Sequence, residues 1–456
     1  SGYNEVVSDC VGECGGSDSS CFGNAPNWVD CPPCYEYTAS MTAVVKNGNS
    51  NEQLGAQGDM LAAFDAEGNV RGVAFQLDIP FGPYEGTTLY EIQLRSDVEN
   101  DALLFKYYDA SQNHIYPTDN IYKFQIDDIL GDATAPHEIL IGDYVNLVKP
   151  LSEGWTWFSF NVETDMSIGN VLYSLNPTQG DVVKTPNASA TFYEGIGWYG
   201  GALDTLNLIE TYQIILTNSD YLVLPGLPVD PADYPISLIE GWNPIGYTPQ
   251  FAGPVAEALA GFTATDGDFL KTRINTTTYY DSFGWFGTLE TMVPMEGYML
   301  DVADSSELVY PNFGPDDGLV RAKEKKELPI AISEWVINPH AFEYNGTITF
   351  SIDNRDDNEG DYIAAFAGDE LRGVAERMYF PFGDTYIYIM MNYSNMADGE
   401  DLAFKYYDSA NEEIIEYREN IIFTADMIVG DGFNTFSLSR EIYIPEVFSL
   451  GRAYPN

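Results

Sequence analysis

The run Asp353-Asn354-Arg355-Asp356-Asp357-Asn358-Glu359-Gly360-Asp361 packs carboxylates and amide oxygens around a glycine. Calcium chemistry needs such a run, because the ion takes roughly six to eight hard oxygen ligands from one flexible loop. Asp353, Asp356, Asp357 and Asp361 are the candidate calcium ligands. The spacing departs from an EF-hand, since Arg355 stands where a ligand is needed. A solvated loop is the plainer reading and a calcium site the sharper one. The sister segment Asn47-Gly48-Asn49-Ser50-Asn51-Glu52 is polar but less charged. Asp9, Glu13 and Asp18, interleaved with cysteines, form a second candidate set.

All five cysteines, Cys10, Cys14, Cys21, Cys31 and Cys34, precede Tyr35. A run this rich in Gly, Ser and Pro cannot bury a core, so disulfides formed in an oxidising extracellular setting are the leading reading. The pairing stays open, and an odd count leaves one thiol free or for an outside partner. Cys31-Pro32-Pro33-Cys34 also has the spacing of a redox pair or half a zinc site. No βαβ pattern follows it and no histidine lies near, which counts against both.

Other chemistry-bearing patterns dissolve on inspection. Gly195-Ile196-Gly197-Trp198-Tyr199-Gly200 matches the dinucleotide fingerprint, but no helix pattern follows it and its sister repeat carries Ser282 in place of the first glycine. A Gly-rich turn flanked by aromatics is expected there. The three histidines, His114, His137 and His340, make no HExxH pair, and no GxSxG elbow exists. Two carboxylates can hydrolyse a glycoside. Among 70 acidic residues, however, some pair always looks suitable. The expectation is a protein that is not an enzyme.

Composition bounds what else is open. A net charge of −50 repels nucleic acid and anionic membrane, and suits divalent cations, basic partners or neutral glycans. With 45% hydrophobic and 14% aromatic residues, the chain folds rather than forming an acidic disordered tail. The 32 tyrosines, 25 phenylalanines, 41 glycines and 25 prolines read as strands with frequent turns. A chain of 456 residues outgrows one core, so about three or four domains are expected. No stretch approaches ~18 uninterrupted apolar residues, so no transmembrane helix and no membrane insertion are expected. Beginning at Ser1 without a signal peptide, the chain reads as a trimmed piece of a longer precursor.

Two nested repeat pairs organise the elements. In the inner pair Gly154-Trp155 recurs as Gly241-Trp242, Gly180-Asp181-Val182-Val183-Lys184-Thr185 as Gly267-Asp268-Phe269-Leu270-Lys271-Thr272, and Gly197-Trp198-Tyr199-Gly200 as Gly284-Trp285-Phe286-Gly287, all at one offset. In the outer pair Asp59-Met60-Leu61-Ala62-Ala63-Phe64 corresponds to Asp361-Tyr362-Ile363-Ala364-Ala365-Phe366. Arg71-Gly72-Val73-Ala74 corresponds to Arg372-Gly373-Val374-Ala375, and Pro80-Phe81-Gly82 to Pro381-Phe382-Gly383. Phe105-Lys106-Tyr107-Tyr108-Asp109 returns as Phe404-Lys405-Tyr406-Tyr407-Asp408. The interval from Lys106 to Gly131 equals that from Lys405 to Gly430.

The expected fold is all-β: tandem β-sandwich-like modules in the order outer, inner, inner, outer. The boundaries are a Cys-rich segment 1–36, outer module 37–148, inner module 149–228, inner module 229–314, charged linker 315–332, outer module 333–440 and tail 441–456. Turns around Glu67-Gly68-Asn69 and Gly368-Asp369-Glu370 join the first strands of the outer modules, and the strand after the first turn is expected to run through Arg71 to Phe75. Later strands are expected over 88–94 and 103–108, and over 386–391 and 402–407. Each inner module is expected to carry one short helix, over 167–175 and 254–262, with Pro254 at its first position.

Basic residues are scarce, so their recurrence carries information. Arg71/Arg372 and Lys106/Lys405 are expected to pair with carboxylates of their own modules, with Asp59 and Asp361 as the candidates. Arg321, Lys323, Lys325 and Lys326 crowd the linker, as a solvated hinge or a docking strip. Trp155, Trp198, Trp242 and Trp285, with Trp157, cluster in the inner modules. Their fixed spacing favours internal core over a sugar-stacking platform or an interface.

The tail Ile444-Pro445-Glu446-Val447-Phe448-Ser449-Leu450-Gly451-Arg452-Ala453-Tyr454-Pro455-Asn456 resembles the opening of the C-terminal sorting domain of type IX-secreted proteins, a family whose pattern continues past the last residue here. Asp9-Cys10-Val11-Gly12-Glu13-Cys14 through Cys21 is similar to the cysteine-rich, calcium-associated spacers of large secreted bacterial proteins. The resemblance implies a secreted, cell-surface protein of a Bacteroidota-like bacterium and implies no chemistry. The expected function is structural or adhesive: a subunit of a surface assembly or filament that associates with itself, calcium being the one candidate cofactor. The alternative is a glycan-binding accessory region of a secreted polysaccharide-degrading enzyme, with the inner-module tryptophans as its platform.

Overall fold

The computed structural model describes residues 25–317, 328–353, 355 and 358–440. The protein is all-β, with 49% of it in strands. Among the described residues the α-helices are single turns, Ile168–Val171 and Val255–Ala258, the second continued by a 3₁₀ turn over Leu259–Gly261. Both are shorter than the expected spans, and Pro254 caps the second helix from outside rather than opening it.

The chain divides into two compact units. One comprises Ser1–Leu151, Phe160–Leu208 and Leu216–Asp230; the other comprises Ser152–Ser159, Ile209–Ile215 and Pro231–Asn456. Two short stretches of the first inner repeat thus fold with the second unit. There Thr211 Oγ1 donates to Ile245 O (2.7 Å) and accepts from Tyr298 N (2.8 Å). A Cβ at Gly297 would collide with Trp157, so that position admits only glycine.

The outer modules are two-layered. In the first, one layer runs Val70–Val73, Met60–Phe64, Ala102–Asp109, His114–Lys123. The other runs Phe75–Asp78, Thr88–Ser96, Tyr37–Asn47, with Ile129–Leu130 and His137–Ile141 parallel to the last and the short Gln53–Leu54 antiparallel to it. An Ile141–Thr118 bridge joins these layers into one ten-stranded sheet. The second outer module has one layer ordered Glu370–Glu376, Tyr362–Ala367, Asp398–Asp408, Glu413–Thr424. Its other layer is ordered Met378–Phe380, Thr385–Ser394, Tyr344–Ile352, with Ile428–Val429 and Phe436–Leu438 parallel to Tyr344–Ile352. The strand order is the same in both.

These segments become strands because their side chains alternate. Thr88–Ser96 buries Tyr90, Ile92 and Leu94 and exposes Glu91 and Gln93. Tyr90 meets Tyr107 edge to face at 6.0 Å, as Tyr388 meets Tyr406 at 6.3 Å. Phe105 and Phe404 are buried in the two cores, each worth about 1.5–3 kcal/mol. The expected strand from Arg71 to Phe75 breaks at Ala74, and Phe75–Asp78 joins the opposite layer. The layers come close just before that switch. A Cβ on Gly72 would strike Gln93 O, and one on Gly373 would strike Met391 O, so both repeats keep glycine there.

Candidate functional site

The inner modules share a three-stranded element: Val182–Lys184, Ser189–Tyr193, Gly197–Tyr199 in one, and Phe269–Lys271, Thr276–Tyr280, Gly284–Gly287 in the other. The last two strands form a hairpin whose turn holds Gly195 at φ 76° and Ser282 at φ 68°. The GxGxxG pattern is therefore the turn of a β-hairpin, with no helix to receive a phosphate.

Alternation splits the hairpin aromatics between two faces. Phe192 pairs with Trp198 and Tyr279 with Trp285 on one face, edge to face at 5.6 and 5.5 Å. That face, with the one-turn helix, walls a cleft in each module. The first cleft is about 490 Å³, lined by Trp198, Phe192, Tyr173 and Leu172 with Asn100 and Lys123. The second is about 320 Å³, beside Trp285 and Val255. Lys123 Nζ donates to Leu175 O (2.7 Å) and lies 5.6 Å from the Tyr173 ring, and burial lowers its pKa.

The opposite face differs between the repeats. In the second unit the outer module's Phe380-Pro381-Phe382 packs on this face, burying Tyr280, half-burying Phe286 and leaving Phe283 at the rim, 53% exposed. Phe283 stacks on Phe382 (4.5 Å, 23°), Phe286 meets Phe380 at 5.2 Å, and Tyr280 meets Phe380 at 5.3 Å. Phe433 adds a further ring beside Tyr280 (5.6 Å), and Tyr280 Oη accepts from Gly432 N (2.8 Å). Tyr280, Phe380 and Ile387 form a hydrophobic cluster of their own at this clasp. The equivalent residues in the first unit are Tyr193, Ile196 and Tyr199, which are 38, 74 and 66% exposed. Phe81, the counterpart of Phe382, is 77% exposed.

Two buried cations reinforce the clasp. Lys271, 1% exposed, donates to Asn345 Oδ1 and Asp426 Oδ1, both at 2.7 Å, and lies 4.5 Å from the Trp242 ring. Burial lowers its pKa, and Asp426 opposes the shift. Arg273 Nη2 donates to Pro339 O (2.6 Å) and to Phe342 O, and burial brings its pKa to about 10. The first inner module has Lys184, only half-buried, and Pro186 at these places. Sequence reasoning singled out neither cation. The signal was there in the difference between the repeats, arginine against proline.

The other anticipated residues have distinct fates. Asp361 is fully buried and accepts from Tyr406 Oη (2.6 Å), Ser409 N (2.9 Å), Ser409 Oγ (2.7 Å) and Asn358 N (2.6 Å). Asp59, its counterpart, accepts from Tyr107 Oη, Ala110 N and Ala56 N. Both oxygens of each carboxylate thus hold protein donors, which fits a loop bracket better than a calcium ligand. Asp353 is exposed, Arg355 Nη1 donates to Asp408 Oδ2 (2.8 Å), and Asp356 and Asp357 lie outside the described residues. Among the described residues no three His, Cys, Asp or Glu are grouped to hold a metal.

The recurrent arginines do pair within their modules, but not with Asp59 and Asp361. Arg71 bonds Asp65 (3.0 Å) and Asp101 (3.2 Å), and Arg372 bonds Glu370 (2.7 Å) and both oxygens of Glu400 (2.9 Å each). Asp59 and Asp361 are already filled by tyrosine and backbone donors, which leaves the arginines to acids nearer their own strand. Lys106 and Lys405 sit over Phe64 (4.7 Å) and Phe366 (5.1 Å), and Lys405 also bonds Glu416 (2.9 Å).

The tryptophans serve different ends. Trp155 and Trp157 are buried, while Trp198, Trp242 and Trp285 are half-buried. Trp155 O receives His340 Nδ1 at 2.6 Å. His137 Nε2 bonds Asn120 (2.7 Å), and His114 packs on Tyr116. Cys31 and Cys34 are joined as a disulfide, and beside them Asp30 takes a two-pronged bond from Arg95. Cys10, Cys14, Cys21, Asp9, Glu13, Asp18, the linker basics and the tail lie outside the described residues. No helix among those described is long and apolar enough to cross a membrane. No protein-family model, curated protein or solved structure matches this chain.

Proposed function

We propose that this chain is a non-catalytic structural or adhesive protein of an extracellular surface assembly. The observation that carries this reading is the hairpin face that an outer module clasps in one repeat, burying Tyr280, while in the other repeat Ile196 and Tyr199 stay 74 and 66% exposed. An exposed patch of Tyr193, Ile196 and Tyr199 on a chain of net charge −50 is a docking surface rather than a solvated one. Within the second unit the aromatic clasp and the buried Lys271–Asp426 pair join inner to outer module, which suits a load-bearing role. The Cys31–Cys34 disulfide and the likeness of the tail to a type IX sorting domain support a secreted, cell-surface setting. Sedimentation of the purified chain across a range of concentrations tests the reading. Species larger than the monomer are expected, and a monomer throughout contradicts it.

A second reading, glycan binding, is favoured by the first cleft. Trp198 and the exposed Tyr173 offer ring faces there, beside Asn100, Asn176 and Lys123. A glycan-array screen of the chain and its Trp198→Ala variant tests it: binding lost with the indole supports the reading, and no binding by either overturns it. Calcium enters either reading only as a proposal for the acidic loop and the cysteine-rich segment.

A further inference from the structure

Resting on the assembly reading, we infer that the bare hairpin face of the first inner module docks on the Ile79-Pro80-Phe81 edge of a second copy of this chain. The template lies inside the molecule. In the second unit a hairpin of the same sequence pattern sits on the same segment of an outer module, with Phe283 on Phe382 and Phe286 on Phe380. Repeat equivalence turns these pairs into Ile196 on Phe81 and Tyr199 on Ile79, with the Tyr193 hydroxyl facing the backbone at Ala133 as Tyr280 faces Gly432.

The chain's own edge does not meet this need. The first inner module touches its outer module elsewhere, through Lys123 to Leu175 O and through Tyr221 Oη to Glu67 (3.0 Å). Both halves of the clasp remain open: Phe81 is 77% and Ile196 74% exposed. Phe75, on the edge strand Phe75–Asp78 that leads into the Ile79–Phe81 segment, is 74% exposed as well.

Hairpin and edge are different patches, so the contact is heterologous, and each added copy leaves one of each free. The contact is weaker than its internal template. Thr134 replaces Phe433, and Pro186 replaces Arg273. It is therefore reversible, and because the copies share a large negative charge, salt promotes it.

The test uses the full chain with Ile196→Glu or Phe81→Glu. Both positions face solvent, and unchanged circular dichroism and melting confirm the fold of each variant. Sedimentation velocity is expected to show concentration-dependent assembly of the wild type, increasing with salt, and loss of every species above the monomer for each variant alone. An equimolar mixture regains a dimer, because one variant keeps a sound hairpin and the other a sound edge. A mixture that stays monomeric overturns the contact. If both variants assemble like the wild type, the head-to-tail contact is wrong while the assembly reading stands. If the wild type is monomeric at every concentration and salt, both fall.

Discussion

Lys271 Nζ lies 2.7 Å from Asp426 Oδ1 with the lysine almost wholly buried, so a charge of the second inner module is neutralised by its outer neighbour. Taking away one member of such a pair strands the other. Asp426→Ala is expected to cost about 3–5 kcal/mol, because it leaves a buried ammonium without the carboxylate bonded to it. Lys271→Met keeps the contact over Trp242 and removes the charge. Its cost is expected to be smaller, about 1–3 kcal/mol for the lost hydrogen bonds. Denaturant unfolding of the two variants in parallel checks the order, and equal costs would contradict it.

A pH-dependent prediction follows from Arg372 and Glu400. The guanidinium's hydrogen bonds hold Glu400 below its ordinary value of 4.5, against the opposing effect of burial. A depressed carboxyl stabilises the fold above its unfolded value and loses that contribution as the pH falls through the folded one. Arg372→Ala should therefore cost about 1.5–3 kcal/mol near neutrality. The gap to wild type should narrow on acidification below 4.5. Thermal melts across that window read it directly, and a gap that widens in acid would contradict the pairing.

The two buried tyrosine–aspartate brackets make a matched experiment. Tyr107→Phe and Tyr406→Phe each remove one donor from a filled carboxylate, at about 1–3 kcal/mol apiece. Asp361→Asn should also destabilise the second outer module. With Asp361 acting as a bracket, its cost is the same in calcium and in chelator. A melting difference that appears only with calcium present would reassign Asp361 as a ligand.

Residue types recur, and in that recurrence much of the strand pattern was legible. The Arg-Gly-Val-Ala and Phe-Lys-Tyr-Tyr-Asp motifs mark strands that the two copies place in the same order. What a repeat shares is its own core. What one copy does with its outer face is written in the positions where the repeats diverge, such as Arg273 against Pro186 or Phe283 against Ile196. Exposure cannot be read from residue type either, since Tyr280 is 4% exposed and its counterpart Tyr193 38%. The arginine partners were missed for a related reason. Asp101 and Glu400 are themselves repeat-equivalent, but each is distant in sequence from its arginine and only the strand pairing brings them together.

The most direct measurement of the central claim is negative-stain microscopy of the purified full chain at raised salt, with calcium and again with chelator. Ordered filaments or sheets with a regular repeat along their length are predicted, and their loss in chelator would bring calcium into the assembly. Dispersed single particles under every condition would contradict the claim that this chain builds a surface structure.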